Sequence, residues 1–482
     1  MVPENLRYGG GVAGTVFNPV VAVVVVLIGI LMCCLPRNKA IVPFLLGSIL
    51  IPSDQILVVA GLHFPLLRIL VAFGMIRIFI IRGRGKWRLF SGGMNGLDKS
   101  LVLLSIVSAV AGVLLFRTGQ AVTFELGELW TALGTYFLVR CLIRDDEDVV
   151  RVIRTLAFIV VVMGALMLSE RLTRGWNPYT LLGGARAQSY AADMMRGGVV
   201  RAVGSFAQPI LAGTFGAVAV SLFIGLWLWK KEHRISAIFG IAGATAMMVA
   251  SNSSTPLMGC LAGLVGLCLW PIRSAMRLVR WGIVATLIVL QLVMKSPVWH
   301  IITHFDVSGS SYHRYELIDQ CIRHFWDWWL IGTNVNASWG WDMWDTANQY
   351  VSNAYHGGLL GLVFFIAIIA YGFKYLGRAR KTASDKKEAL FLWALGATLL
   401  AYVVSFIGIS LWDQSIVGWY LLLAVICVVA MPQKAKAAAA FEPIWTARFA
   451  TKVDVPVGLH GREPLPAAQK QAHASWRRGN ER

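Results

Sequence analysis

Two arginines stand where they could hold a phosphorylated ligand. Arg201 lies in Arg201-Ala-Val-Gly-Ser-Phe-Ala-Gln-Pro209, directly before an apolar run, and Arg314 lies in Ser311-Tyr-His-Arg314-Tyr-Glu316-Leu, at the start of an amphipathic one. A guanidinium keeps its charge at any physiological pH and presents a planar fork of donors that matches phosphate oxygens. At a membrane surface the same group serves equally as a snorkelling anchor for lipid headgroups. Further on, Trp344-Asp345-Thr-Ala-Asn348-Gln-Tyr350 brings a carboxylate, an amide and a phenol into one short stretch. Asp345 suits orientation or deprotonation of a hydroxyl, or a helix cap; Asn348 suits a ligand contact or loop backbone. Five histidines (His300, His304, His313, His324 and His356) fall in or beside this region, without the spacing of a metal box.

Other chemistry is largely excluded. The sequence carries no Walker loop, HExxH, GxSxG or GxGxxG opening a soluble βαβ unit. The run Arg144-Asp-Asp-Glu-Asp148 is the next candidate for a divalent metal, but with arginines on both sides it reads as a turn whose acids pair with its bases. Six of the seven cysteines lie in or at the ends of apolar runs, which argues against a disulfide framework.

The elements that must position these residues are membrane-spanning helices. Of 482 residues, 57% are hydrophobic and only 14% charged, far from the roughly 45–50% and 25% of a soluble domain. Apolar runs predict thirteen spans at roughly 17–35, 40–52, 62–81, 98–116, 123–142, 152–170, 206–229, 235–251, 255–271, 281–298, 357–376, 389–411 and 414–431. The run at 40–52 is the shortest of them, and the first reads as a retained helix and not a cleaved signal. The net charge of +19 comes from short basic clusters between spans. That placement sets membrane topology and does not indicate nucleic-acid binding. With the clusters on the cytoplasmic side, 171–205 and 299–355 become the two long outer loops.

The second loop is rich in tryptophan, with Trp326, Trp328, Trp329, Trp339, Trp341 and Trp344, as expected where amphipathic rings sit at headgroup level. From Arg314 to Leu330, apolar residues follow i, i+3, i+4 spacing, with Glu316, Asp319, Gln320, Arg323 and Asp327 on the other face. The spacing predicts one amphipathic helix lying on the membrane boundary. Residues 432–482, rich in Ala, Lys, Arg and Pro, read as a disordered cytoplasmic tail.

In order and topology these pieces resemble the O-antigen ligase and Wzy-type polysaccharide polymerase superfamily. The resemblance rests on Arg201 to Pro209, on Ser251-Asn-Ser-Ser-Thr255 with Pro256, and on a loop holding Arg314, Trp328-Trp-Leu-Ile-Gly332, Asp345-Thr-Ala-Asn348-Gln-Tyr350 and Gly358-Leu-Leu-Gly361-Leu. It covers about residues 195–370. Ala347 stands where the ligases place a histidine before the Asn, which favours the polymerase branch.

The resemblance implies an all-α, polytopic integral membrane helical bundle of about 12–13 transmembrane helices, with a large periplasmic loop containing amphipathic helices. The domain would span 1–431, in a bacterial inner membrane, with the site facing the periplasm. The implied activity is an inverting glycosyl transfer without metal or cofactor, from a glycan on undecaprenyl diphosphate to a glycan acceptor. Chain-length regulator and flippase proteins are the implied partners. By this reading Arg201 and Arg314 clamp the diphosphate. Asp345, His313 or His356 handles the acceptor hydroxyl, while Asn348, Tyr350 and Trp344 contact sugar. Ligase-type transfer to lipid A core or protein differs only in acceptor. A transporter for the same lipid-linked glycans would need ionisable groups deep in the spans, where the sequence offers mainly Arg68 and Arg77.

Overall fold

The computed structural model describes residues 14–82, 90, 93–183, 195–305 and 311–430, all within the first of the chain's two units, Met1–Pro443. The expected tail at 432–482 lies outside the described residues. The chain is predominantly helical: α1 (Pro19–Cys34), α2 (Arg37–Leu50), α3 (Leu66–Arg82), α4 (Gly96–Phe116), α5 (Gly119–Leu142), α6 (Asp146–Leu172), α7 (Pro209–Trp229), α8 (Arg234–Ala250), α9 (Ser254–Cys268), α10 (Met276–Val293), α11 (Ser311–Arg323), α12 (Phe325–Trp328), α13 (Gln349–Lys381), α14 (Lys386–Ser405) and α15 (Ser415–Val429). Leaving aside the loop helices α11 and α12, each expected span has its helix, although the one expected from 62 begins only at Leu66.

Seven helical stretches among the described residues are long and apolar enough to cross a membrane: Gly96–Phe116, Asp146–Leu172, Pro209–Trp229, Lys231–Ala250, Trp270–Val293, Gln349–Lys381 and Lys386–Ser405. The protein is therefore a polytopic helical membrane protein. The other expected spans form shorter helices, such as the 14 residues of α2, or carry more charge, as α5 does with Glu125, Glu128 and Arg140. Two small antiparallel ribbons interrupt the all-helical expectation. One is β1 (Ile56–Val59) with β2 (Leu62–Pro65), Ile56 opposite Pro65; the other is β3 (Met195–Arg196) with β4 (Val199–Val200). The second lies between helices, whereas the first takes Leu62–Pro65 out of the expected span 62–81, because a short apolar run does not by itself distinguish a strand from a helix.

The core centres on α7, which packs against α8, α9 and α14, while α6 packs on α8 and α13 on α4. Its termini obey local rules: Pro209 occupies the first turn, where its missing N–H costs nothing. At the opposite extreme α10 buries none of its residues.

Helix α2 fixes the two ends of the bundle. It begins at Arg37, whose Nη1 meets the Asp148 carboxylate at 2.6 Å, and Asp148 also receives Arg151 at 2.6 Å. It ends beside Ile51, whose carbonyl accepts from Gln414 at 2.8 Å in the loop between α14 and α15. The first is the basic end, the second the loop end. The acidic run 145–148 is thus an ion-paired helix start, as expected, although Asp148 is buried and not solvated. The two arginines of α3 are also matched. Arg68 pairs with Glu128 at 2.9 Å and Thr131 at 3.0 Å, and Arg77 donates to the Cys33 carbonyl at 3.0 Å.

The single amphipathic helix expected over 314–330 is two helices. The chain breaks at His324, and Trp328 Nε1 donates at 2.6 Å to the Cys321 carbonyl, giving that end-of-helix acceptor a side-chain partner. Asp319, expected on the polar face, is buried, because it accepts from Arg323 at 2.6 Å and Trp299 Nε1 at 3.2 Å. The loop expected to run to 355 stops at 348, since α13 starts at Gln349 and bends at Gly358, where φ is +62°. Trp328-Trp-Leu-Ile-Gly332 docks on that bend through Leu359 N to Trp329 O and Thr333 N to Tyr355 O, both 2.8 Å.

Candidate functional site

The residues from 201 to 209 form a tightly held arch at the loop end. Gly204 has φ +58°, and a Cβ there would run into Met163, so glycine is required on both conformational and steric grounds. Phe206 is fully buried, and Ser205 Oγ donates to Ile49 O at 2.6 Å. Glu170, at the end of α6 and fully buried, accepts from the backbone N–H groups of Val203 (3.1 Å) and Gly204 (3.0 Å) and from Asn177 (3.2 Å). A carboxylate receiving several N–H donors is well compensated for its burial. Ala202 N–H to Ala250 O, at 3.0 Å, ties the arch to the end of α8.

Arg201 projects from this arch to Ser253, with Nη2 to Oγ at 2.9 Å. Its Nε is buried with no hydrogen-bond partner. Burial, then the nearby charges of Arg196 and Arg314, push its guanidinium down to about 10. The Arg314 side chain, from the first turn of α11, lies against Gly408 and Thr255. A Cβ added at Gly408 would stand 2.9 Å from Arg314 Nε and 2.5 Å from Thr255 Oγ1. The two arginines, distant in sequence, therefore converge on the Ser253–Thr255 segment that opens α9.

Beside Arg314 lies a histidine–aspartate group. His313 Nε2 is 3.1 Å from the Asp345 backbone carbonyl; since a carbonyl only accepts, Nε2 carries the proton and Nδ1 the lone pair. That Nδ1 is buried without a partner. Asp345 keeps an exposed side chain, yet the protein around it raises its carboxyl above the usual range, an effect opposed by His313, reinforced by Asp342 and opposed again by Arg314. His313, Asp342 and Asp345 each place one ligand atom within 4.8 Å of the others. One imidazole and two carboxylates are a donor set suited to a divalent ion such as Mn²⁺ or Zn²⁺.

The remaining expected site residues are placed differently. Asn348 is 1% exposed and caps α13: its Oδ1 accepts from Tyr350 N–H (2.9 Å) and Val351 N–H (3.1 Å), while Nδ2 donates to Ile407 O (3.0 Å). With its amide so committed, it holds the 406–408 turn beside Arg314 and contacts no solvent-facing site. Asp345 caps no helix. Tyr350 spends its hydroxyl on Val403 O at 2.9 Å. Trp344 is exposed, and His356, also exposed, bonds within its own helix to Ser352 O at 2.7 Å. Among the described residues no hydrogen bond joins His356 to either arginine. Sequence reading missed Glu170, Asp342 and Gly408. Only Asp342 lay near a named motif; the other two act through contacts between distant segments.

Fold and site together define a helical membrane protein that gathers two arginines and a histidine–aspartate cluster at one end of its bundle. No protein-family model matches the chain, and no curated protein matches it in sequence.

Proposed function

We propose that the protein is a membrane glycan polymerase of a bacterial inner membrane, transferring a glycan from undecaprenyl diphosphate to a sugar hydroxyl of another lipid-linked repeat on the periplasmic side. The observation that carries this reading is the convergence of Arg201 and Arg314 on one short segment, with a buried, unpartnered N–H on Arg201.

In a single displacement, the acceptor hydroxyl attacks the anomeric carbon, the bond to the diphosphate breaks and the configuration inverts. Two guanidinium groups fixed in place stabilise the charge gathering on the departing diphosphate. The hydroxyl proton passes to the bare Nδ1 of His313, whose tautomer the Asp345 carbonyl sets, or to the Asp345 carboxylate. The two arginines within α3, Arg68 and Arg77, are bonded to neighbouring groups, which favours chemistry at the surface over a transport path that would use them. A second reading differs only in using a metal: a divalent ion on His313, Asp342 and Asp345 would activate the hydroxyl, and their 4.8 Å clustering favours it.

The test is the glycan length profile of a host lacking the protein, complemented with wild type, Arg201→Ala or Arg314→Ala at matched protein levels. Long chains from wild type and only short lipid-linked repeats from either variant are expected. Single repeats still reaching the final acceptor mark polymerisation and not ligation. Normal chains from both variants overturn the proposal.

A further inference from the structure

At the basic end, away from this site and independent of the polymerase reading, a cleft of about 560 Å³ opens between α2, α6 and α8. Its walls are apolar: Val42 and Leu46 from α2, Phe158 and Val161 from α6, Ile235 and Phe239 from α8. Its rim is basic, formed by Arg151 and Arg154. From Arg151 to Val161 the cleft follows α6 for about 15 Å at 1.5 Å per residue.

The two rim arginines are not equivalent. Arg151 is already engaged by Asp148 at 2.6 Å and by the Asn38 carbonyl at 2.9 Å. Arg154 is exposed and has no hydrogen-bond or ion-pair partner among the described residues. The acids nearby do not answer it. Asp148 is bound to Arg37 and Arg151, and Asp145 caps α6 through Asp148 N–H at 2.8 Å. Asp146 and Glu147 stand two turns earlier, about 10 Å along the axis.

We propose that this cleft binds an anionic phospholipid, its phosphate on Arg154 and its chain laid between Phe158 and Phe239. An apolar trough closed at one end by an uncompensated cation has the polarity of such a lipid, and a zwitterionic lipid brings a second, repelled charge. Basic pockets between membrane helices are a recurrent means of holding anionic headgroups.

The full-length protein, purified in detergent, is photolabelled with a photoactivatable phosphatidylglycerol and the cross-links are mapped. Labelling is expected on α6 and α8, competed by phosphatidylglycerol and not by phosphatidylcholine of the same chains. Arg154→Gln is expected to lower labelling about five-fold, the worth of one basic residue at an anionic surface, while Arg280→Gln on α10 leaves it unchanged. Equal competition by the two lipids, labelling spread evenly over α1 and α10, or an unaffected Arg154→Gln overturns the proposal. Should Arg154→Gln fail to fold, wild-type mapping and competition alone decide it.

Discussion

Asp148 holds Arg37 and Arg151 at 2.6 Å each at the basic end, whereas at the loop end Arg201 has one hydroxyl at 2.9 Å and a buried Nε with no acceptor. The first arrangement satisfies its charges internally and so joins α2 to α6. The second leaves a cation short of anionic partners in a position built by a buried glutamate, a constrained glycine and a fixed turn. Burying a charge without compensation is costly, and a fold that keeps such a group is equipped to receive an anion there. These arginines therefore divide by their partners: Arg37 and Arg151, paired on Asp148, hold α2 to α6, whereas Arg201 retains a donor that an incoming anion could take up.

The largest effect is expected at Arg201. Its replacement by Ala is expected to cut transfer by about 10²-fold or more, the usual cost of losing one electrostatic donor to developing charge, while the thermal midpoint stays within a degree or two. A variant that loses stability in proportion would make Arg201 another scaffold residue. Removing its support tests the same point from behind. Glu170→Ala strands two backbone N–H groups, at about 1–3 kcal/mol each, so both the thermal midpoint and transfer should fall.

Gly408→Ala sharpens the picture at Arg314. The added methyl presses on the Arg314 guanidinium and Thr255, and about 1–3 kcal/mol of overpacking strain is expected, read as roughly ten-fold slower transfer with intact folding. The smallest effect concerns pH. Because the Asp345 carboxyl is raised, the rate limb that needs its carboxylate should climb with pH above the ordinary carboxylate range and vanish in Asp345→Asn. The linkage sign agrees: with a folded value above the unfolded one, Asp345 favours folding at low pH and loses that contribution as pH rises through the raised value. Chelation by EDTA, with Mn²⁺ add-back, separates the two readings of His313, Asp342 and Asp345: unchanged rates exclude the metal.

Much of the fold was legible because apolar periodicity and length are properties of each segment alone. Every expected span contains a helix, though Leu62–Pro65 of the third is a strand and seven helical stretches among the described residues have the length and apolarity to cross a membrane, and Pro209 marked the start of α7. The break at His324 was not legible, since it depends on Trp328 reaching back to the Cys321 carbonyl, nor was the burial of Asp319, which depends on Trp299. At the site, the two arginines and the His313–Asp345 pair were visible as residue types near loop mouths. The role of Asn348 was not, because nothing local distinguishes an amide that binds a ligand from one that caps a helix and ties down a distant turn. Glu170 was invisible for the same reason: its partners lie beyond a loop.

Whether Arg201 serves a ligand and Arg37 the scaffold is decided by comparing Arg201→Gln with Arg37→Gln in the purified protein, measuring undecaprenyl diphosphate binding and thermal stability on the same samples. Arg201→Gln is expected to lose binding by ten-fold or more with its stability kept, while Arg37→Gln loses about 2 kcal/mol of stability, less than a fully buried pair because Arg37 is partly solvated, with binding kept. Binding lost equally in both, or stability lost only in Arg201→Gln, would contradict this division of roles.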